Sequence, residues 1–128
     1  MENNTEGKKT QLNKKPRIYN MTFVSVYLLY ITKVEKKSRT KGELDEAILL
    51  LTGYNQEQLQ KQIDDKVDFE TFFEQAPLIN PNSSKIIGSI CGYKVQEISD
   101  PLMQKIRFMD KLVDEITKGK TMEKILRK

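Results

Sequence analysis

Hydrophobic residues recur at steps of three and four along residues 20–37, the first patterned segment of the chain. Two neighbouring stripes carry the apolar side chains: Phe23, Tyr27, Tyr30 and Val34, and beside them Val24, Leu28 and Ile31. The β-branched residues would also suit a strand, but more than sixteen residues pass without a turn signal, which favours a helix. So wide an apolar surface predicts that this helix is central to a small core.

Residues 40–76 contain three helix-start signals in succession. Thr40 followed by Glu43 is a capping box, in which each side chain accepts a hydrogen bond from a free backbone amide of the first turn. Asn55 and Asp68 stand at the equivalent position before the next two segments, so both are predicted N-caps. The predicted helix ends are Gly53 and Pro77. This part of the chain is therefore predicted to be helical.

Residues 81–98 admit two structures. Asn80 and Pro81 are a typical helix cap and first helical position, which favours a helix that ends at Gly92. The alternative is a β-hairpin within residues 85–98, with "KIIGSI" and "YKVQEI" on either side of a Cys91-Gly92 turn. Glycine weakens both helix and strand interiors. The helix is preferred, and the hairpin is kept as the alternative.

On that preferred helix, Ser84, Gly88 and Gly92 would lie four residues apart on one face, with Cys91 beside them. A face of small residues allows another helix to approach closely, so we predict a structural packing role for these four residues. The glycine spacing does not match a phosphate-binding loop. Cys91 has no histidine with which to pair, and a buried, inert thiol is expected.

The last third of the chain predicts one long helix and one short one. Asp100 and Pro101 repeat the cap-and-proline start, an apolar stripe follows as far as Ile116, and Gly119 ends the helix. We therefore expect an all-α fold, a single compact multi-helix domain over residues 18–128. The alternative is a small α+β fold with a hairpin at residues 85–98.

Charge and composition lead to two further predictions, one for the N-terminal tail and one for the cellular compartment. The net charge is +4, and residues 1–17 hold five bases and two acids; the remaining residues therefore carry 17 bases against 16 acids, a net +1. A disordered basic tail is predicted for residues 1–17. No apolar run approaches a membrane span or a signal-peptide core, and one cysteine cannot form an internal disulfide. A cytoplasmic protein without membrane contact is expected.

The chain contains no histidine, which removes the usual near-neutral acid–base group and a common metal ligand. Its carboxylates lack the spacing of a calcium loop or of a two-carboxylate site. No catalytic residue, metal site or cofactor is predicted, and the balance is against an enzyme.

Four stretches resemble the bacterial family catalogued as domain of unknown function 2200. They are "MTFVSVYLLYITKVEKKSRTKGELDEAILLLTGY", "DFETFFEQAPLINPN", "ICGYKVQEISDPLMQKIRFMDKLVDEI" and "KGKTMEKILRK". They occur in the same order and run from Met21 to the C-terminus, leaving only the tail outside. The resemblance implies a compact, cytoplasmic bacterial protein and supplies no reaction, cofactor or catalytic residue.

Three functional hypotheses follow. The first is a non-catalytic interaction or binding module, for example a homodimer, because the caps and apolar stripes accompany no catalytic set. The second is nucleic-acid binding through the basic tail and residues 36–41. The third is a small-ligand-binding protein or enzyme with an aromatic and carboxylate pocket lined by Tyr27, Tyr30, Tyr54 and Phe72.

Overall fold

A computed structural model describes residues 16–127, in which six α-helices surround one hydrophobic core and a short β-hairpin lies beside it. The helices are α1 (Phe23–Lys36), α2 (Lys41–Thr52), α3 (Gln56–Asp64), α4 (Phe69–Glu74), α5 (Pro101–Thr117) and α6 (Met122–Leu126). The hairpin pairs β1 (Ser89–Ile90) with β2 (Tyr93–Lys94), and three 3₁₀ turns cover Arg17–Asn20, Pro81–Lys85 and Val95–Glu97. The predicted helical fold class is confirmed. None of the helices in this part of the chain combines the length and apolarity needed to cross a membrane.

Helix α1 is the central helix, as its apolar pattern predicts. It begins at Thr22, whose side chain accepts a hydrogen bond from the Ser25 amide, and it packs against both α2 and α5. The first predicted stripe is buried, with every member at most 3% exposed. The second stripe is less buried than predicted, because Leu28 is 57% exposed. Helix α1 thus buries one face in the core and exposes Leu28 on another.

The caps predicted for the next three helices are confirmed. Thr40 and Glu43 form the capping box of α2, and Asn55 forms a second box at the start of α3. Asp68 accepts from the first turn of α4. Gly53 ends α2 with φ +79, a conformation that favours glycine. A Cβ atom at this position would also lie 2.8 Å from the backbone of Leu78, so there is no space for a side chain.

The helix predicted over residues 81–92 is wrong, and the hairpin alternative is confirmed. After the 3₁₀ turn, Ser89 pairs with Lys94 in an antiparallel register. Cys91 and Gly92 between the strands have φ values of +53 and +83, the signature of a type I′ hairpin turn. The backbone at Gly88, Cys91 and Gly92 has positive φ, which a right-handed helix does not allow, and among residues 81–92 only Ile86 is buried.

Helix α5 packs against both α1 and α2 and carries several charged side chains. Pro101 occupies its first turn as predicted, although Asp100 makes no side-chain capping bond. A bidentate ion pair joins the C-terminal end of α5 to Arg127, which follows α6. Arg127 donates to both oxygens of the buried Glu115, at 2.9 and 2.7 Å. Such two-point pairing fixes the orientation of both partners. The two terminal helices are thereby held together.

Candidate binding groove

A groove of about 490 Å³ opens between α1, α5 and the hairpin turn. Its lining combines apolar and charged side chains: Ile18, Val26, Leu29, Tyr30, Lys33, Lys37, Ile90, Cys91, Arg107, Asp110, Val113, Asp114 and Thr117. The volume lies within the range of pockets that hold small molecules. Because α1 and α5 both pack on the core, most of the lining residues stand on rigid elements, and the hairpin contributes Ile90 and Cys91.

The floor of the groove is a hydrogen-bonded triad from α1 and α5. The phenol of Tyr30 donates to Oδ1 of Asp110, and Arg107 donates from Nη1 to Oδ2 of the same carboxylate at 2.8 Å. Burial, together with the negative charge of Asp110, raises the pKa of Tyr30 well above its ordinary value. The phenol therefore keeps its proton at neutral pH and acts as a donor.

Arg107 connects this triad to the hairpin. Its Nη1 also lies 3.6 Å from the Cys91 sulfur, while Nη2 makes no hydrogen bond with any residue that the structure describes. Burial works to lower the pKa of Arg107, but the hydrogen bond and charge of Asp110 outweigh it and raise that pKa. The side chain is 20% exposed. A permanent positive charge is thus available at the groove, and two donor nitrogens of Arg107, the buried Nε and Nη2, have no hydrogen-bond partner among the described residues.

Lysines form the rim. Lys33 and Lys37 are exposed, lie one helical turn apart and have no ion-pair partner within residues 16–127. On the α5 side, Asp114 is contacted by Lys111 at 3.5 Å and by Lys118 at 3.1 Å. Within residues 16–127 both carboxylates of the groove are therefore partnered, while Lys33 and Lys37 are not.

The remaining wall is apolar and partly exposed. Leu29 of α1 is 59% exposed and lines the groove, whereas its neighbour Leu28 is 57% exposed and points outside the lining. Val26, Ile90 and Val113 also contribute apolar side chains to the lining of the groove. A charged rim beside an apolar wall suits a ligand that has one polar end and one apolar end.

Comparison with known proteins places this chain in a family. The family model described as "Uncharacterized protein conserved in bacteria (DUF2200)" matches residues 17–127. The chain belongs to the DUF2200 family. The resemblance noted from the sequence is thereby confirmed.

A solved structure supports the same fold for this DUF2200 chain. It is similar to the crystal structure of uncharacterized protein SP1917, with 42% sequence identity and a TM-score of 0.83. The similarity covers 89% of this chain and 93% of that chain. Among curated proteins, no match was found.

The aromatic pocket predicted from the DUF2200 sequence is not assembled as one site. Tyr27, Tyr54 and Phe72 are buried in the core, where the phenol of Tyr54 donates to the Phe72 carbonyl at 2.6 Å. Phe72 in turn stacks on Phe23 with ring centroids 4.0 Å apart. Tyr30 is the member of the predicted set that lines the groove. The other three have a packing role.

The four residues of the predicted packing face are also separated, because the helix that would align them does not form. Ser84 lies exposed in the 3₁₀ turn, and no atom lies within 4 Å of where a side chain on Gly92 would begin. Gly88 has φ +116 and faces the Lys111 side chain. The expected buried thiol is wrong, since Cys91 is exposed at the hairpin turn and lines the groove.

Two of the four bases in the run over residues 36–41 are engaged in contacts within the described part of the chain. Arg39 donates to Glu43 at 2.8 Å and to two backbone carbonyls near the end of α5, and Lys41 contacts Asp45 at 2.7 Å. The predicted tail, apart from its last two residues, lies outside the described residues. No three carboxylate or thiol side chains within residues 16–127 come together as a metal site would require.

Sequence reasoning missed the groove. Its apolar wall had one visible signal, because Leu29 lies off the buried stripe of α1 and is followed by Lys33 and Lys37 at helical spacing. The contact of Arg107 with the hairpin had no sequence signal, because it depends on a turn sixteen residues earlier in the chain.

Proposed function

We propose that this DUF2200 protein is a non-catalytic binding module of the bacterial cytoplasm that holds a small molecule in the groove. The observation that carries the proposal is the groove itself: about 490 Å³, with a polar floor, a charged rim and a partly exposed apolar wall on two core helices. That combination is the usual form of a small-molecule site. The one cysteine is unpaired, as is typical of a reducing compartment.

Binding without turnover is favoured by how the floor residues use their hydrogen-bonding capacity. Asp110 accepts from both Tyr30 and Arg107, so its oxygens are engaged within the protein. Tyr30 retains its proton because burial raises its pKa. General acid–base catalysis needs a group poised to exchange a proton near neutral pH, whereas the raised pKa values of Tyr30 and Arg107 keep both side chains protonated there.

The two adjacent leucines of α1 provide a matched test. A panel of small molecules that includes cations, neutral compounds and anions is screened by thermal shift against the wild-type protein, Leu29→Gln and Leu28→Gln. A ligand that prefers the folded protein must raise its melting temperature. We expect at least one compound to do so with the wild type, Leu29→Gln to lose most of that shift, and Leu28→Gln to keep it.

Both variants should fold, because each replaced leucine is more than half exposed. The proposal fails if no compound of any charge raises the melting temperature. It also fails if Leu28→Gln loses the shift as fully as Leu29→Gln, because the site would then lie elsewhere.

A further inference from the structure

We propose that a second cavity, between the hairpin and the first turns of α5, binds a small apolar molecule that carries one carboxylate. The cavity has a volume of about 220 Å³ and is lined by Tyr93, Ile98, Met103 and Arg107. Arg107 is the one residue that it shares with the groove. The site is therefore additional to the groove of the proposed function, and the two can be tested separately.

Three of the four lining side chains are apolar or aromatic. Ile98 and Met103 are partly buried, and Tyr93 is 60% exposed. A wider depression shares Tyr93 and Ile98 with the cavity and connects it to solvent. The cavity is smaller than the ~300–1,000 Å³ of pockets for drug-sized molecules, so a small apolar body is what these side chains fit.

Arg107 supplies the polar end of the site, because two of its nitrogens lack an acceptor. Nη1 donates to Asp110, whereas Nη2 and the buried Nε have no hydrogen-bond partner among the described residues. Native proteins leave few buried polar atoms unpaired, and each such atom calls for a partner such as water, an ion or a ligand. The same part of the chain has two other buried side-chain atoms without partners, on Tyr19 and Gln62, and neither residue lines the cavity or the groove. Of the three residues, Arg107 is the one beside a space for a ligand.

The arrangement of these two donors selects a carboxylate. Nε and Nη2 lie on one edge of the planar guanidinium, with N–H bonds that point in the same direction. A carboxylate accepts from both with its two oxygens, whereas a carboxamide of the same shape offers one oxygen and one amino group. Asp110 balances the charge of Arg107, so the ligand is selected by its paired acceptors rather than by a net positive field. One carboxylate occupies this edge, and the lining holds no second cation for another.

The buried position of Nε requires a small movement when the ligand binds. Met103 precedes Arg107 by one helical turn on α5 and lines the same cavity, so the two side chains are neighbours. Methionine is unbranched and adapts its shape easily. We expect Met103 to move aside as the carboxylate reaches Nε, so its methyl group should report binding.

Three probes of similar shape test the requirement for two acceptors. Benzoate offers two equivalent oxygens at pH 7.5, benzamide replaces one of them by an amino group, and methyl benzoate blocks one with a methyl group. Protein labelled with ¹³C in the methionine methyl groups is titrated with each compound, and dissociation constants are taken from the chemical shifts. We expect benzoate to bind at least about tenfold more tightly than the other two. The largest shift should occur at Met103, with little change at Met109, which is fully buried in the core.

Matched variants then locate the site. Arg107→Lys keeps a positive charge for Asp110 but removes the edge with two nitrogens, so we expect it to weaken benzoate binding at least about tenfold. Met103→Gln makes the apolar lining polar and should weaken binding about threefold or more. Leu29→Gln changes the groove and not this cavity, so binding should stay within about twofold of the wild type.

Equal affinity for benzoate and benzamide would overturn the inference, as would benzoate binding that survives Arg107→Lys. If Arg107→Lys does not fold, Met103→Gln and the probe comparison decide. Failure of all three probes to bind would show that water satisfies Arg107 and that the cavity is not a ligand site. Loss of benzoate binding in Leu29→Gln but not in Met103→Gln would place the carboxylate in the groove, which overturns the second site and leaves the proposed function standing.

Discussion

Two tyrosine–aspartate pairs connect α1 to different neighbouring helices and have different surroundings. Tyr27 donates to Asp45 of α2 at 2.5 Å, and Lys41 and Gln56 close the cluster around that carboxylate. Tyr30 donates to Asp110 of α5, and the other side of that carboxylate meets Arg107 at the groove. The phenols are both buried, but the Asp45 side chain is 8% exposed and that of Asp110 is 16% exposed.

The difference is between a cluster completed within the fold and one that adjoins open space. Around Asp45 every donor named above has its acceptor, and the Lys41 ammonium also lies 5.7 Å above the Tyr27 ring. Around Asp110, Arg107 keeps two unused nitrogens, and Lys33 and Lys37 stand nearby without partners in the described chain. The same side-chain chemistry therefore stabilises the core at the Tyr27–Asp45 pair and leaves recognition groups beside the Tyr30–Asp110 pair.

Replacement of the two aspartates should show this difference most strongly. Asp45→Ala leaves the Tyr27 phenol buried without an acceptor, and we expect it to lower the free energy of unfolding by about 2 kcal/mol. Asp110→Ala opens onto the groove, where water can accept from Tyr30, so a loss of about 1 kcal/mol is expected. Both sites are helical, so the gain in helix propensity cancels in the comparison. Urea unfolding provides the measurement, and an equal or reversed order would contradict the distinction.

Alkaline pH should weaken the closed cluster. Burial, followed by the hydrogen bond to Asp45, raises the pKa of Tyr27 to about 12 from an ordinary value of 10.0. A pKa raised by folding contributes stability that is fully present below pH 10 and is lost as the pH rises towards 12. The wild type should therefore lose about 1–2 kcal/mol more than Tyr27→Phe across that interval.

Urea unfolding at pH 9, 10 and 11.5 measures this loss, and Tyr93→Phe controls for the removal of an exposed hydroxyl, since Tyr93 is 60% exposed. Tyr30→Phe should also flatten the pH profile, because burial raises the pKa of Tyr30 in the same direction. Parallel profiles for the wild type and Tyr27→Phe would show that the phenol is not held as described.

A substitution in the hairpin turn should have the smallest effect on the stability of the protein. Cys91 occupies the first central position of a type I′ turn at φ +53, where asparagine is strongly favoured. We expect Cys91→Asn to stabilise the protein by about 0.5 kcal/mol. Amide exchange should slow most near the hairpin and the groove. A destabilised variant, or slowing confined to the Asp45 side, would contradict the turn assignment.

The helix boundaries could be predicted because their determinants are local. Thr40 and Glu43 interact across three residues, and Asn55 and Asp68 each cap the turn that immediately follows. Such signals are complete within a few letters of sequence. That locality explains why the cap positions of α2, α3 and α4 agree with the structure.

The hairpin and the groove could not be predicted in the same way. Asn-Gly would have marked the turn, but Cys91-Gly92 fits a helix end as well as a type I′ turn, so the local signal was ambiguous. The groove depends on pairs that are distant in sequence, Tyr30 with Asp110 and Cys91 with Arg107. Helical periodicity places each residue on a face of its own helix, but it does not say which helices pack against that face.

Chemical-shift mapping of ¹⁵N-labelled protein with the compound that gives the largest thermal shift tests the central claim most directly. Amide resonances of the groove, including Leu29, Lys33, Arg107 and the Cys91 turn, should shift in proportion to occupancy. Resonances around Asp45 should remain fixed, because that cluster is closed. Saturable shifts confined to the groove are the predicted result. Shifts centred on Asp45, or no saturable shift in the groove, would contradict the assignment of the Tyr30–Asp110 side as the binding site.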